Sequence, residues 1–294
     1  MKKRKIDLAV ISDVHLGTYG SKADELIAYL SSIQPKKLIL NGDIIDIWQF
    51  SKRYFPPSHL KVLKKIIGMA SKGTEVYYIT GNHDEMLRKF TDTSMGNIQI
   101  VNKLVLELDG KKAWIFHGDV FDVSIRNAKW LAKLGGYGYD FLIRINSIVN
   151  WFLLKMGREK YSLSKRLKNS VKGAGKYISK FERTAAELAI DNGYDYVVCG
   201  HIHQPRKEII ENKNGSTLYL NAGDWVENLT ALEYSFKRWR VYHYNHDKLS
   251  AFYVDEELKE MDMNELIASI TNKEELLKNL EVEREDFDPS SPTN

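Results

Sequence analysis

Apolar residues in this chain come in short runs, and five of the runs end abruptly in polar groups. Leu8–Ile11, Lys37–Leu40, Val76–Ile79, Ala113–Phe116 and Tyr196–Val198 read as strands. Between the first three, Ala23–Ile33 places Ala23, Leu26, Ile27, Leu30 and Ile33 at helical spacing, and Pro35 is expected to stop that helix. Leu60–Ala70 repeats the pattern, with Gly73 as its stop. Strand–helix–strand–helix–strand predicts βαβ units and a largely parallel sheet. Ile98–Leu108 and Lys111–Phe116 read as a strand pair around the turn Asp109–Gly110. Three later strands, Ser216–Leu220, Thr230–Tyr234 and Arg240–Tyr244, are expected to form a second sheet packed on the first. The fold class expected is α/β, a layered sandwich.

Residues 120–183 break this rhythm. They are helical in pattern and hold fourteen Lys/Arg against four acids. Phe141–Met156 is strongly apolar but carries Arg144 and spans only 16 residues, too short to cross a bilayer. It reads either as a core helix against the sandwich or as a cap helix exposing apolar and basic surface. Gly135, Gly136 and Gly138 mark a turn inside it, and Lys172–Lys176 lacks the spacing of a phosphate-binding loop. Residues 255–294 hold thirteen acids against four bases, with a helix at Met263–Leu280 and a polar end expected to be disordered. The expected organisation is a main domain 1–254, a helical insertion 120–183 within it, and an acidic tail 255–294.

The net charge of +4 says little by itself. The basic middle and acidic tail point to an anionic or membrane-surface partner for the middle, unless they are only solvated helix faces. Cys199 is the lone cysteine, so no disulfide framework exists, and within YVVCGH it reads as a small core residue. Asp7 and Asp13 interrupt the first apolar run, which reads as a strand and not a signal peptide.

The chemistry lies where the five runs end, at DVH (Asp13–His15), GDIID (Gly42–Asp46), GNHD (Gly81–Asp84), HGD (His117–Asp119) and GHIH (Gly200–His203). Ligands of open α/β sheets bind outside the carboxyl ends of strands, so these signatures should converge. They bring carboxylate, amide and imidazole donors, enough for two divalent metals. Asp13 and His15, like His201 and His203, are two residues apart, which in extended backbone points both side chains the same way. Asp43 is the candidate carboxylate to stand between two metals, with Asn82 and His117 as further donors. Glycines beside the ligands, Gly42, Gly81, Gly118 and Gly200, permit close approach.

This set of motifs, spanning residues 7–225, resembles the calcineurin-like metallophosphoesterase family. The resemblance implies an α/β/β/α sandwich of the metallophosphoesterase type with a helical cap insertion. It implies one metal on Asp13, His15, Asp43 and His203 and a second on Asp43, Asn82, His117 and His201. Manganese is the usual ion, and iron or zinc suits the same ligands. His83 would stabilise the transition state or protonate the leaving oxygen, and Asp84 would orient it. Hydroxide held between the metals would attack phosphorus in line. Within the family, the order of motifs, the basic aromatic insert, and the runs GDIIDIW and LNAGDWVE look most like the UDP-2,3-diacylglucosamine diphosphatases of lipid A assembly. The best-known of those carry arginine where this chain has His83, a departure that bears on substrate and not on reaction class. The partners implied are a nucleotide-linked or phospholipid-like substrate and a membrane surface, with no nucleic acid. The location implied is the cytoplasm, peripherally at the inner face of the membrane. Asp122, Lys172 and Lys176 are candidate headgroup contacts. Rival readings are a nuclease using the basic insert on a phosphate backbone, a nucleotide or protein phosphatase, and a non-catalytic membrane-surface adaptor.

Overall fold

A computed structural model describes residues 3–47, 54–121 and 174–247. The chain divides into two units, Met1–Val254 and Asp255–Asn294, and the second lies outside the described residues. So do the expected helices Phe141–Met156 and Met263–Leu280.

The first half alternates as its apolar spacing requires: β1 (Arg4–Ile11), α1 (Ala23–Ser32), β2 (Ile33–Asn41), α2 (Pro57–Ser71) and β3 (Glu75–Ile79). The three strands pair in parallel. Pro35 does not follow α1 at a distance; it lies inside β2, which begins at Ile33 directly after the helix. A proline is tolerated there because β2 pairs with β1 at Ile6↔Pro35, whereas pairing with β3 starts only at Lys37.

The remaining elements are β4 (Thr93–Met95), β5 (Ile98–Val101), β6 (Leu104–Leu108), β7 (Lys111–Ile115), α3 (Ala174–Asp191), β8 (Tyr196–Cys199), β9 (Arg206–Asn212), β10 (Gly215–Asn221), β11 (Thr230–Ser235) and β12 (Arg238–His243). Among the described residues one sheet runs β12-β11-β1-β2-β3-β5-β4 and the other β6-β7-β8-β10-β9. Two expectations are corrected here. Ile98–Leu108 is not one strand: it divides after Val101, β5 joining β3 in the first sheet and β6 joining β7 in the second. The division is fixed by Thr80, whose N–H donates to Val101 O and whose hydroxyl donates to Asn102. The three late strands also separate. β10 enters the second sheet, while β11 extends the first antiparallel to β1 and β12 follows antiparallel to β11.

Period-two alternation builds the layers. Leu8, Val10, Ile39, Ile79, Ile115, Val198, Leu220 and Leu232 form the core between the sheets. Ala9, Ile11, Leu38 and Leu40, one residue out of phase, pack under Leu26, Tyr29 and Leu30 of α1 and Val62 and Ile66 of α2. Val197, Cys199 and Tyr219 pack under Phe181, Ala185 and Ala189 of α3. The result is the expected α/β/β/α order. Cys199 is buried and burial pushes its thiol well up, so it packs and does not react. Among the described residues no helix is long and apolar enough to cross a membrane.

Candidate metal centre

The five signatures follow β1, β2 and β3 of one sheet and β7 and β8 of the other, so the site straddles the open edge between the layers. Backbone bonds lace the loops together. Asp13 N–H donates to Gly42 O (3.1 Å), His15 N–H to Asp43 O (2.9 Å) and Gly200 N–H to His117 O (2.9 Å). The backbone is not extended here, contrary to expectation. Asp13, His15, Asp43, His201 and His203 all have positive φ, between 53° and 65°. Five L-residues in the left-handed region cost conformational energy that the surrounding hydrogen bonds must offset, a strain that clusters at functional sites.

Glycines let these turns touch. A Cβ on Gly81 would lie 2.2 Å from Asp43 Oδ1 and 2.6 Å from the Asp43 backbone nitrogen. Gly81→Ala should therefore destabilise the fold by about 1–3 kcal/mol, as overpacking against backbone does. Chemical denaturation with an unchanged slope and a lower midpoint is the expected reading; an unshifted midpoint contradicts it.

Asp13 Oδ1 lies 3.0 Å from His203 Nε2, and its other oxygen accepts the N–H of His201 (3.0 Å) and the hydroxyl of Ser12. Asp43 Oδ2 lies 3.2 Å from His117 Nε2, and Oδ1 accepts the N–H of His83 (2.8 Å). His117 Nδ1 donates to Asn41 O at 2.8 Å, which turns its Nε2 toward Asp43. Donor atoms of Asp13, His15 and His203 lie within 4.8 Å of one another; so do those of Asp43, His117 and His201, and those of His15, Asp43 and His83.

The donor set fits divalent cations. Among the described residues Asn82 Oδ1 is buried with no hydrogen-bond partner, and so are Asp13 Oδ1 and His117 Nε2 despite their close neighbours. Buried polar atoms left this way are costly unless something else satisfies them. Charge makes the same point. Burial pushes the Asp13 carboxyl up, yet His203 and His117 outweigh it and bring it down to about 2. Burial likewise opposes Asp43, which His117 and His83 hold well below the carboxylate range. Burial lowers His83, but Asp43 and Asp46 raise it to about 9. His117 is raised in the same way, by Asp43 and Asp13. Without metal, imidazolium protons therefore balance the carboxylates, and a cation taken up by His117 must displace its proton. The stabilisation linked to His83 is complete below its ordinary 6.5 and disappears as pH rises through about 9. Metal-free protein should lose melting temperature from about pH 7 to 9.5, and metal-loaded protein should lose less; equal slopes contradict this.

The carboxylate beside His83 is Asp46, not Asp84. Asp46 Oδ2 lies 2.8 Å from His83 Nδ1 and 3.4 Å from His15 Nδ1. Both oxygens of Asp84 are taken by Gly81 N–H, Ile44 N–H and the Tyr78 hydroxyl, so Asp84 ties the GNHD turn to β3 and to the loop after β2. Asp46 is the last residue of GDIID, while nearness to His83 in sequence points to Asp84. Nothing in the local pattern marks Ser12, Asn41 or Asp224 as part of the site. Asp224 accepts three consecutive backbone N–H groups, Val226 to Asn228, and faces His203 Nδ1 at 3.9 Å. Lys176 lies on α3, while Asp122 and Lys172 lie outside the described residues.

Compared with known proteins, residues 6–205 match the sequence model of the family described as Calcineurin-like phosphoesterase. The UDP-2,3-diacylglucosamine hydrolase of Aliivibrio fischeri (strain MJ11) is 25% identical over 238 residues, covering 79% of this chain and 96% of that protein. The enzyme of the same name from Blochmanniella pennsylvanica (strain BPEN) is 26% identical over 246 residues, covering 79% and 93%.

Proposed function

The chain belongs to the calcineurin-like phosphoesterase family and is a metal-dependent phosphoester hydrolase, and from that premise we propose that it cleaves the diphosphate of UDP-2,3-diacylglucosamine or a similar nucleotide-linked glycolipid, releasing UMP. The observation that carries this reading is the match of relatives bearing that name along nearly their whole length, over a chain that retains every candidate ligand.

In this reading Asp13, His15, Asp43 and His203 hold one cation and Asp43, Asn82, His117 and His201 a second, with Asp43 shared. Manganese, iron or zinc suits these donors. When bound, two such cations would supply positive charge to the phosphate oxygens and lower the pKa of a bound water. The chain's own groups do the rest. Ser12 and the His201 amide fix the Asp13 carboxylate, and Asn41 fixes the tautomer of His117. His83, whose Nδ1 lies 2.8 Å from Asp46 Oδ2, offers a proton or hydrogen bond to the leaving oxygen. Asp122, Lys172 and Lys176 are proposed headgroup contacts. The protein works in the cytoplasm, peripherally on the inner face of the membrane that holds the lipid.

The test is hydrolysis by purified protein with manganese, offered UDP-2,3-diacylglucosamine, bis-p-nitrophenyl phosphate and single-stranded DNA. UMP release from the lipid supports the reading. Turnover of the nitrophenyl ester or DNA without UMP release overturns the substrate and leaves the reaction class.

A further inference from the structure

Each ligand-bearing loop of the first sheet is tied across the open edge to the second sheet. After β1 the tie is Asp13, whose carboxylate accepts the N–H of His201 (3.0 Å). At the end of β2 it is Asn41, which accepts from His117 Nδ1 (2.8 Å) and donates to Phe116 O (3.2 Å). After β3, on the loop that carries Asn82 and His83, it is Arg88, whose Nη2 donates to Asp119 Oδ2 at 2.5 Å. This third tie joins two side chains that are not candidate ligands, and the chemistry above does not use it. The Arg88 side chain is 33% exposed and that of Asp119 13%.

Both ends of the pair are anchored. Arg88 sits in a 3₁₀ turn, Glu85–Phe90, that begins directly after GNHD. Leu87 N–H donates to Asp84 O (2.9 Å), and the Thr91 hydroxyl donates to Arg88 O (3.0 Å). Asp84 is itself fixed by Gly81, Ile44 and Tyr78, so Arg88 cannot shift without the turn that carries His83. At the other end Phe121 N–H donates to Gly118 O (3.1 Å), closing the turn Asp119–Phe121. The Phe121 ring stands edge-on to Phe116 and Phe181, 5.6 Å from each. Two residues of chain span at most about 7 Å, so Asp119 moves with His117. Asp43 also meets both loops, at the His83 amide and at His117 Nε2. One contact lets the GNHD turn pivot; a second, from Arg88, removes that freedom. A guanidinium–carboxylate bond suits the task because it is charge-assisted and directional.

We propose that the Arg88–Asp119 ion pair is a clamp between the GNHD and HGD loops, and that Arg88 is a positioning residue which fixes His83 relative to His117. This rests on the reading that His83 serves the leaving oxygen.

The experiment is a double-mutant cycle on manganese-loaded protein, using Asp119→Asn and Arg88→Met, which keeps the stem and removes the charge. Turnover is read on bis-p-nitrophenyl phosphate and on diphenyl phosphate, whose leaving phenolate is the stronger base. Misplacing a catalytic group by about 1 Å costs on the order of 10²-fold. Each single variant should therefore lose about 10²-fold in kcat on diphenyl phosphate and about tenfold on the nitrophenyl ester, with KM and manganese content near native. The double variant should lose no more than either single one. Arg88→Lys, which keeps the charge, should retain more turnover than Arg88→Met. Losses that multiply in the double variant, or native turnover in the single variants, overturn the clamp. His83→Gln is measured beside them. If it slows both esters equally, the proton-donor reading of His83 fails, while losses that do not multiply keep the clamp. If it separates the esters and the Arg88 and Asp119 variants do not, that reading stands and the clamp fails.

Discussion

Asp43→Ala should abolish hydrolysis and metal binding together. Asp43 is 2% exposed, and its two oxygens face different parts of the site, Oδ2 toward His117 and Oδ1 toward the His83 amide. It belongs to two of the three close donor groups, as does His15. Losing a group that merely orients a ligand costs about 10- to 100-fold in metal affinity, so losing a carboxylate shared between two cations should cost more than about 100-fold at both. Turnover should fall by at least about 10³, beyond the loss of a single transition-state donor. Stability moves in an instructive direction. In metal-free protein Asp43 is the leading charge that keeps His83 and His117 protonated. Its removal leaves those imidazoles with less reason to hold protons, and the pH dependence of metal-free melting should flatten. Metal content by elemental analysis, turnover and melting against pH read the three consequences. Stoichiometric metal at both positions with full turnover in Asp43→Ala would refute the shared-ligand role.

Much of this centre was legible because the strand ends announce themselves. An apolar run closed by glycine and a ligand residue needs no tertiary information, and five in the right order specify a common edge. What stayed hidden depended on contacts between loops. Nothing local to Asp13-Val14-His15 says that both ligands take positive φ; that follows from the bonds to Gly42 O and Asp43 O across the neighbouring strand. Asp84 sits beside His83 in sequence, yet its side chain turns back to the Gly81 amide, and the partner of His83 comes from another loop. Sequence adjacency is a poor guide where the chain reverses every three or four residues. The division of Ile98–Leu108 between sheets was hidden for a similar reason. Its alternation is continuous, and only the Thr80–Asn102 contact shows where one layer ends.

His83→Gln should separate substrates by their leaving groups. A protonated imidazole near the scissile oxygen matters most when that oxygen departs as a strong base, and general acids contribute about 10²–10⁴-fold in such cases. An alkyl phosphodiester should therefore lose on the order of 10² or more in turnover, while a p-nitrophenyl ester, whose phenolate leaves unaided, should lose far less. Asp46→Asn tests the cause. Asp46 is almost fully buried, and its carboxyl is held well below the ordinary range by His15 and His83 against the opposing effect of burial. Because Asp46 raises the pKa of His83, the amide variant should let that proton leave at lower pH. The alkaline limb of kcat/KM for the alkyl ester should move to lower pH, with the nitrophenyl ester's limb less affected. A purely structural role for Asp46 would depress both substrates alike and leave the limbs in place. Equal losses on the two esters in His83→Gln would remove His83 as the proton donor and leave its positive charge as the remaining contribution.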